Sequence, residues 1–180
     1  MRIGMLLLIA VFCFGRDFHV DQLRSVVMFE VKEFAFVTVE GSFSDFSGTV
    51  NIENGGIKDL QGIVQTRSID TAINKRDEHL LSADFFHAKK YPQMLLSMVS
   101  MEEKHMVADL TIKDLTQRVR LNVIDKKISD AGVELVLTGV VDRIKFDLDN
   151  SLMSMMISDD VTIKLKLVTA KDFSPASSAR

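Results

Sequence analysis

Four histidines (His19, His79, His87 and His105), the run Arg76-Asp77-Glu78-His79 and ten methionines are the side chains of this chain with ligating or reactive chemistry. A metal ion needs three or four donors converging at about 2.0–2.3 Å. On one continuous helix His79 and His87 would stand about 12 Å apart along the axis, too far to share an ion. No H-x-H or H-E-x-x-H spacing supplies another pair. The Arg-Asp-Glu-His run places acids and a base side by side, and a nucleophile for it would be Ser68, Thr71 or Ser82. None of the three is presented by a strained glycine elbow, and the economical reading has Arg76 and Asp77 tying a helix to neighbouring strand ends. Met153, Met155 and Met156 offer thioethers of the kind that hold Cu(I). Met94, Met98, Met101 and Met106 instead sit amid Leu and Val, where flexible methionine fills a core or lines a cavity for a floppy hydrocarbon. Core, cavity lining and copper ligand all stay open as readings of the methionines. We assign no catalytic residue and no metal ligand.

The elements that carry these residues have a period of two. Val27, Phe29 and Val31 alternate with Met28, Glu30 and Lys32, and Phe46, Val50 and Ile52 alternate with Asp45, Thr49 and Asn51. Asn54-Gly55-Gly56 follows as a hairpin turn. Further strands are expected over Leu60–Ile69, Met94–Met98, Met106–Ile112, Val119–Val123, Val133–Val141 and Val161–Leu167. About eight strands with short turns imply an antiparallel meander. A sheet with one apolar face either pairs with a second sheet or closes on itself, and closure removes the exposed edges. The fold expected is therefore all-β, an eight-stranded antiparallel barrel, either packed solid or holding one small ligand. Asn74 to Tyr91 breaks the rhythm. Asn74 is the expected N-cap of a short helix with Asp77 and Glu78 in its first turn, and Ser82 caps a further turn carrying Phe85 and Phe86. This insertion is expected to close one end of the barrel. Leu152 to Ile157 is expected as a short helix or loop.

The chain has 180 residues, 47% of them hydrophobic, with 22 basic and 25 acidic side chains and a formal charge of −3. That length suits one domain with a real core. The charge argues against a nonspecific nucleic-acid binder, and the single cysteine excludes an internal disulfide or a zinc cluster built on cysteines. Part of the apolar content is a leader. Arg2 is followed by an apolar run from Ile3 to Phe14, broken only by Gly4, and polarity returns at Gly15-Arg16-Asp17. As a helix the run reaches about 18 Å, short of a hydrocarbon core of about 30 Å. Its basic start, apolar centre and small exit residue describe a secretory signal over residues 1–15, cleaved after Gly15. Cys13 does not make a lipoprotein site, because Val11-Phe12 before it are bulky. The rival reading of the leader is a buried N-terminal helix. Residues 16–171 form the expected domain, and 172–180, with Ser174-Pro175-Ala176-Ser177-Ser178, a mobile tail.

Several runs resemble the YceI-like family. Phe29-Glu30-Val31-Lys32-Glu33, with Val39-Glu40-Gly41-Ser42-Phe43-Ser44-Asp45-Phe46-Ser47-Gly48, is similar to that family's first hairpin. Ser68-Ile69-Asp70-Thr71, then Arg76-Asp77-Glu78-His79-Leu80-Leu81-Ser82-Ala83-Asp84-Phe85-Phe86 and Tyr91-Pro92, resembles its central signature. Leu110-Thr111-Ile112 with Thr116 and Val119, and Asp160-Val161-Thr162-Ile163, are similar to later strands. The chain departs from the pattern at Glu33, where histidine is common, at Asp114, where glycine is common, and at Lys145-Phe146-Asp147-Leu148.

The resemblance implies an exported, periplasmic, lipocalin-like barrel that binds a polyisoprenoid or similar long-chain amphiphile without covalent attachment. Isoprenoid quinones, fatty acids and their amides are within that class, for carriage, storage or stress protection. Family members are not established as enzymes, and no cofactor is expected. Each methylene moved into an apolar lumen contributes about 0.8 kcal/mol, so a long chain is held without specific polar contacts. The lining expected from the apolar strand phases is Phe29, Val31, Phe46, Leu96, Met98, Leu110, Leu121, Leu137 and Ile163, with Phe85 and Phe86 near the mouth. Transient membrane contact and a homodimer through an exposed strand are compatible with this reading. The competing classes are a lipid-modifying enzyme and a Met-rich copper-binding or interaction module.

Overall fold

The computed structural model describes residues 15–34, 36–149 and 156–170. The leader up to residue 14, the expected tail from 172, Met153, Met155 and most of the segment expected over 152–157 lie outside the described residues. The strands are β1 (Arg16–Val20), β2 (Val26–Glu33), β3 (Val37–Phe43), β4 (Phe46–Glu53), β5 (Gly56–Gln65), β6 (Ile69–Asp70), β7 (Gln93–Met101), β8 (His105–Ile112), β9 (Leu115–Ser129), β10 (Gly132–Asp142) and β11 (Ile157–Ala170). One helix, α1 (Asn74–Leu81), stands between β6 and β7.

Every described strand pairing is antiparallel, and eight strands close a ring in the order β1-β4-β5-β7-β8-β9-β10-β11. The last closure is made by β1, which pairs with β4 (Phe18 opposite Val50) and with β11 (Val20 opposite Thr169). The expected barrel is therefore present, but β1 was absent from the expected strand list and takes a place in the ring that the pattern gave to β2. Strands β2 and β3 run outward from β11, Val31 lying opposite both Val161 and Val39. The short β6 then pairs with the far end of β3. Between β3 and β4 the described pairings contain no ladder. Backbone hydrogen bonds from Ser44 N to Ser68 O (3.2 Å) and from Gln65 N to Asp45 O (2.9 Å) join the chain across that place instead.

Local sequence explains the turns. Asn54 and Gly55 both have positive φ, 53° and 75°, as the tight turn between β4 and β5 requires. Helix α1 begins differently from expectation. Ile73, rather than Asn74, is the N-cap, and no side chain caps the helix there. Asp77 in the first turn instead ties the helix to the segment before it, its Oδ1 receiving the Thr71 backbone N–H at 3.0 Å and the Thr71 hydroxyl at 2.6 Å. Arg76 completes the tie, donating from Nε to Thr71 Oγ1 (2.8 Å) and from Nη2 to Thr71 O (2.6 Å). Ser82 accepts at Oγ from the Asp84 N–H (3.3 Å), which holds the turn that carries Phe85 and Phe86.

One end of the barrel is solid. Val50, Met106, Ala108, Leu121, Leu135 and Leu137 are fully buried there, with Phe18 from β1 packed among them. Outside, cross-strand ion pairs such as Arg118 to Asp109 (2.7 Å) cover the surface. The hydrogen bond from Arg118 holds the Asp109 carboxyl below the usual carboxylate range, but so exposed a pair adds little stability. The close packing at the solid end is set by Gly139. A Cβ placed there would stand 2.4 Å from Leu121 Cδ2 and 2.9 Å from Arg120 O. Gly139→Ala is expected to cost about 1–3 kcal/mol through this overpacking, read as a lower urea midpoint with an unchanged slope.

Candidate functional site

The other end of the barrel is hollow. Where β2 and β3 diverge from the ring, the inward side chains enclose an apolar cavity of about 500 Å³. Its walls come from β2 (Val27, Phe29, Val31), β3 (Val39, Phe43), the start of β4 (Phe46), the end of β5 (Leu60, Val64), β7 (Met94, Leu96), β8 (Leu110, Ile112) and β11 (Val161, Ile163, Leu165). Alternation along each strand explains why these positions face in. The insertion adds Leu80, Phe85 and Phe86. The rings of Phe85 and Phe86 meet edge to face at 5.0 Å, and Phe29 lies 5.8 Å from Phe43. Phe29 also covers Gly41: a Cβ at Gly41 would stand 2.2 Å from Phe29 Cζ, so only glycine lets that ring lie flat on β3.

Polar side chains reach the cavity in few places. Ser47 and Gln61 touch it from β4 and β5, Thr71 from just after β6, Arg76 and His79 from the insertion, Glu33 from the end of β2, and Arg143 from just after β10. Arg143 opens a short 3-10 turn, Arg143–Phe146, whose Phe146 also lines the cavity. Its side chain is only 5% exposed. Nη1 donates to Leu148 O (2.6 Å), Nε to Ser158 O (3.0 Å), and Nη2 to Ile157 O (3.1 Å) and to Asp159 Oδ1 (3.2 Å). A buried guanidinium is tolerated because its donors are met. It fastens the end of β10 to the start of β11 and so holds one side of the cavity's rim.

Of the residues expected to line the lumen, Phe29, Val31, Phe46, Phe85, Phe86, Leu96, Leu110 and Ile163 face the cavity. Met98, Leu121 and Leu137 do not. Leu121 and Leu137 are fully buried in the solid half, where Leu121 lies over Gly139. Met98 packs against the same core beside Ala108, next to a register shift in β7. All three have the inward phase, but period two does not tell how far along the barrel axis a residue sits. Other lining residues were not expected, among them Val27, Val39, Phe43, Leu60, Met94, Ile112, Leu165, Arg143, Phe146 and Leu148. The inward phase was the available signal for the strand residues, and no local pattern marked those in the 3-10 turn and after it.

The histidines stand apart from one another. His79 lines the cavity, His105 Nδ1 meets Asn122 Oδ1 at 3.1 Å, and the His87 ring packs edge-on against Tyr91 at 6.0 Å. Among the described residues no group of three His, Cys, Asp or Glu side chains could hold a metal ion. Of the departures from the family pattern, Glu33, Phe146 and Leu148 touch the cavity, whereas Asp114 accepts from the Tyr91 hydroxyl at 3.0 Å outside it.

Comparison with known proteins bears on the same barrel. The pattern of the YceI-like domain matches residues 18–169. A UPF0312 protein of Staphylococcus aureus is 30% identical over 144 residues, covering 74% of this chain and 82% of the relative. Protein YceI of Escherichia coli is 31% identical over 113 residues, covering 58% of this chain and 59% of that protein. Among solved structures, BcnA of Burkholderia cenocepacia superposes with a TM-score of 0.74 at 24% identity, covering 83% of this chain and 98% of that one. A polyisoprenoid-binding domain from Saccharophagus degradans, implicated in plant cell wall breakdown, superposes at 0.66 and 15% identity, covering 86% and 98%. At these identities the two structures speak for the barrel alone.

The rim contact of Arg143 gives a testable consequence. Arg143→Leu leaves the carbonyls of Leu148, Ile157 and Ser158 without their donor, and each such loss costs about 1–3 kcal/mol. The variant is expected to be destabilised by about 3 kcal/mol or more in urea unfolding. An unchanged midpoint would show that the guanidinium does not hold the rim.

Proposed function

This chain belongs to the YceI-like family, and we propose that its barrel binds the apolar tail of one long-chain amphiphile for carriage or storage outside the cytoplasm. The observation that supports this reading is the cavity: about 500 Å³, walled by Phe, Leu, Val and Ile, with few polar groups. Cavities that take small ligands run from about 300 to 1,000 Å³. A void this apolar does not suit water, which needs several polar partners. An alkyl or isoprenoid chain supplies the missing contacts, and ten buried methylenes contribute about 8 kcal/mol before the costs of association.

The ligand class is a polyisoprenoid, an isoprenoid quinone, or a fatty acid or amide. Its tail lies along Phe29, Leu96, Leu110 and Ile163, and its head lies toward Thr71 and, on the insertion, Arg76 and His79. Binding, rather than a covalent step, is the activity. Arg76 and Asp77 are engaged with Thr71, which is a fastening role and not the activation of a nucleophile. Export rests on the leader's basic, apolar and small-residue order. Strand β1 begins at Arg16, immediately behind the cleavage point assigned after Gly15, so processing there keeps the closing strand whole.

Protein purified without added lipid, opened by native mass spectrometry and then extracted with solvent, is expected to release a long-chain amphiphile. The extracted protein is expected to melt at a lower temperature, because a ligand that binds only the folded state raises stability. Leu96→Trp and Leu110→Trp, which fill the cavity, are expected to reduce the retained lipid. Absence of any released lipid, with a melting temperature untouched by extraction, would contradict the carrier reading.

A further inference from the structure

A carrier of a water-insoluble chain must collect and deliver it somewhere, and the cavity's rim has a surface fitted to that task. The turn joining β2 to β3 exposes Phe34, Phe36 and Val37, with Phe36 90% exposed. Two neighbouring segments continue the apolar patch. Phe34 donates its backbone N–H to Met156 O at 2.7 Å, and Met156 is itself exposed. Arg143 binds the carbonyls of Ile157 and Ser158, which brings exposed Ile144 to the same rim. These segments also wall the cavity: Glu33, Arg143 and Ile157, each adjacent in sequence to a patch residue, line it. The patch is thus continuous with the mouth of the apolar cavity.

Phe34 is an unusual residue for its place. Its φ is 50°, in the left-handed region that favours glycine or asparagine and penalises a bulky side chain. A turn made only to reverse the chain would not call for an aromatic there, nor for a second one two residues on. Large apolar side chains at the tip of a turn are of use where the tip leaves water.

We propose that this rim docks on the surface of an uncharged lipid bilayer, with Phe34 and Phe36 entering the interface and the cavity mouth facing the membrane. The inference rests on the lipid-carrier reading. The rim's charges favour zwitterionic over anionic lipid: Lys113, Arg143 and Lys145 are paired with Asp147, Asp159 and Asp142, which leaves Glu33 and Asp160 against Lys32. Apolar insertion therefore supplies the affinity, and anionic lipid opposes it.

The chain contains no tryptophan, so one indole reports one place. Phe36→Trp is placed at the rim. Leu23→Trp is placed at a 97% exposed position in the turn between β1 and β2, toward the solid end. With vesicles of phosphatidylcholine brominated in its acyl chains, the indole of Phe36→Trp is expected to shift blue and be quenched, while that of Leu23→Trp stays unchanged. Phosphatidylglycerol at low salt is expected to weaken the quenching. Phe34→Ser with Phe36→Ser is expected to lower vesicle affinity by at least about tenfold. An unquenched indole in Phe36→Trp, equal quenching in both variants, or a concentration-dependent blue shift without lipid, as pairing of two chains would give, overturns the proposal. Lipid extracted from the same preparations separates the two readings. Retained lipid with an unquenched rim indole overturns docking alone, whereas empty protein overturns the carrier reading on which docking depends.

Discussion

Closure of the sheet through β1 is the constraint on which the rest of this molecule depends. An antiparallel sheet leaves rows of unpaired backbone groups at its edges, and here the short strand Arg16–Val20 joins them, pairing along β4 from Arg16 to His19 and with the end of β11 at His19 and Val20, while β2 covers the rest of that edge of β11. The inward Phe18 sits opposite Val50, and the fully buried core collects around that junction. Drawing the strands together at this end leaves no room for a ligand. At the other end the strands beyond β11 diverge as β2 and β3, the ladder between β3 and β4 is missing, and a void opens. One closing contact thus divides the barrel into a packed half and a hollow half.

The two halves have different physical tasks. The packed half provides stability through side chains that touch on all sides, as Leu121 does over Gly139. In the hollow half, apolar walls face one another without such contacts. Its shape is kept by polar fastenings at the edge: Arg143 across the start of β11, and Arg76 with Asp77 on Thr71. These charged groups are buried or half-buried, and their partners are backbone groups, the Thr71 hydroxyl and the Asp159 carboxylate. They hold the void open against collapse and leave the walls apolar, which is what an amphiphile's tail requires.

Most of the fold was legible because alternation of apolar and polar residues is a local property. The Asn54-Gly55 turn and the strands β2, β4, β5 and β7–β11 follow from it. Strand β1 was not legible: its five residues include only two apolar side chains, Phe18 and Val20, beside a leader whose apolar run dominates the composition. Its role comes from partners far along the chain, β4 on one side and β11, at the other end of the domain, on the other. The cavity was legible by face and not by height. Phe29, Leu96 and Ile163 share an inward phase with Leu121 and Leu137, and only the registers of the assembled sheet place the first three in the void and the last two in the core. The helix start was misplaced for a related reason. Asn74 has a good capping side chain, but the helix is positioned by Asp77 reaching back to Thr71, and Asn74 falls inside its first turn.

The central claim is that the hollow half is built to hold a lipid tail. A high-resolution crystal structure of protein purified from cells without added ligand tests it most directly. The account predicts continuous, elongated density between Phe29, Leu96, Leu110 and Ile163, ending near Arg76 and His79. A lumen in which those side chains have moved inward and packed against one another, with no space left between them, would contradict it.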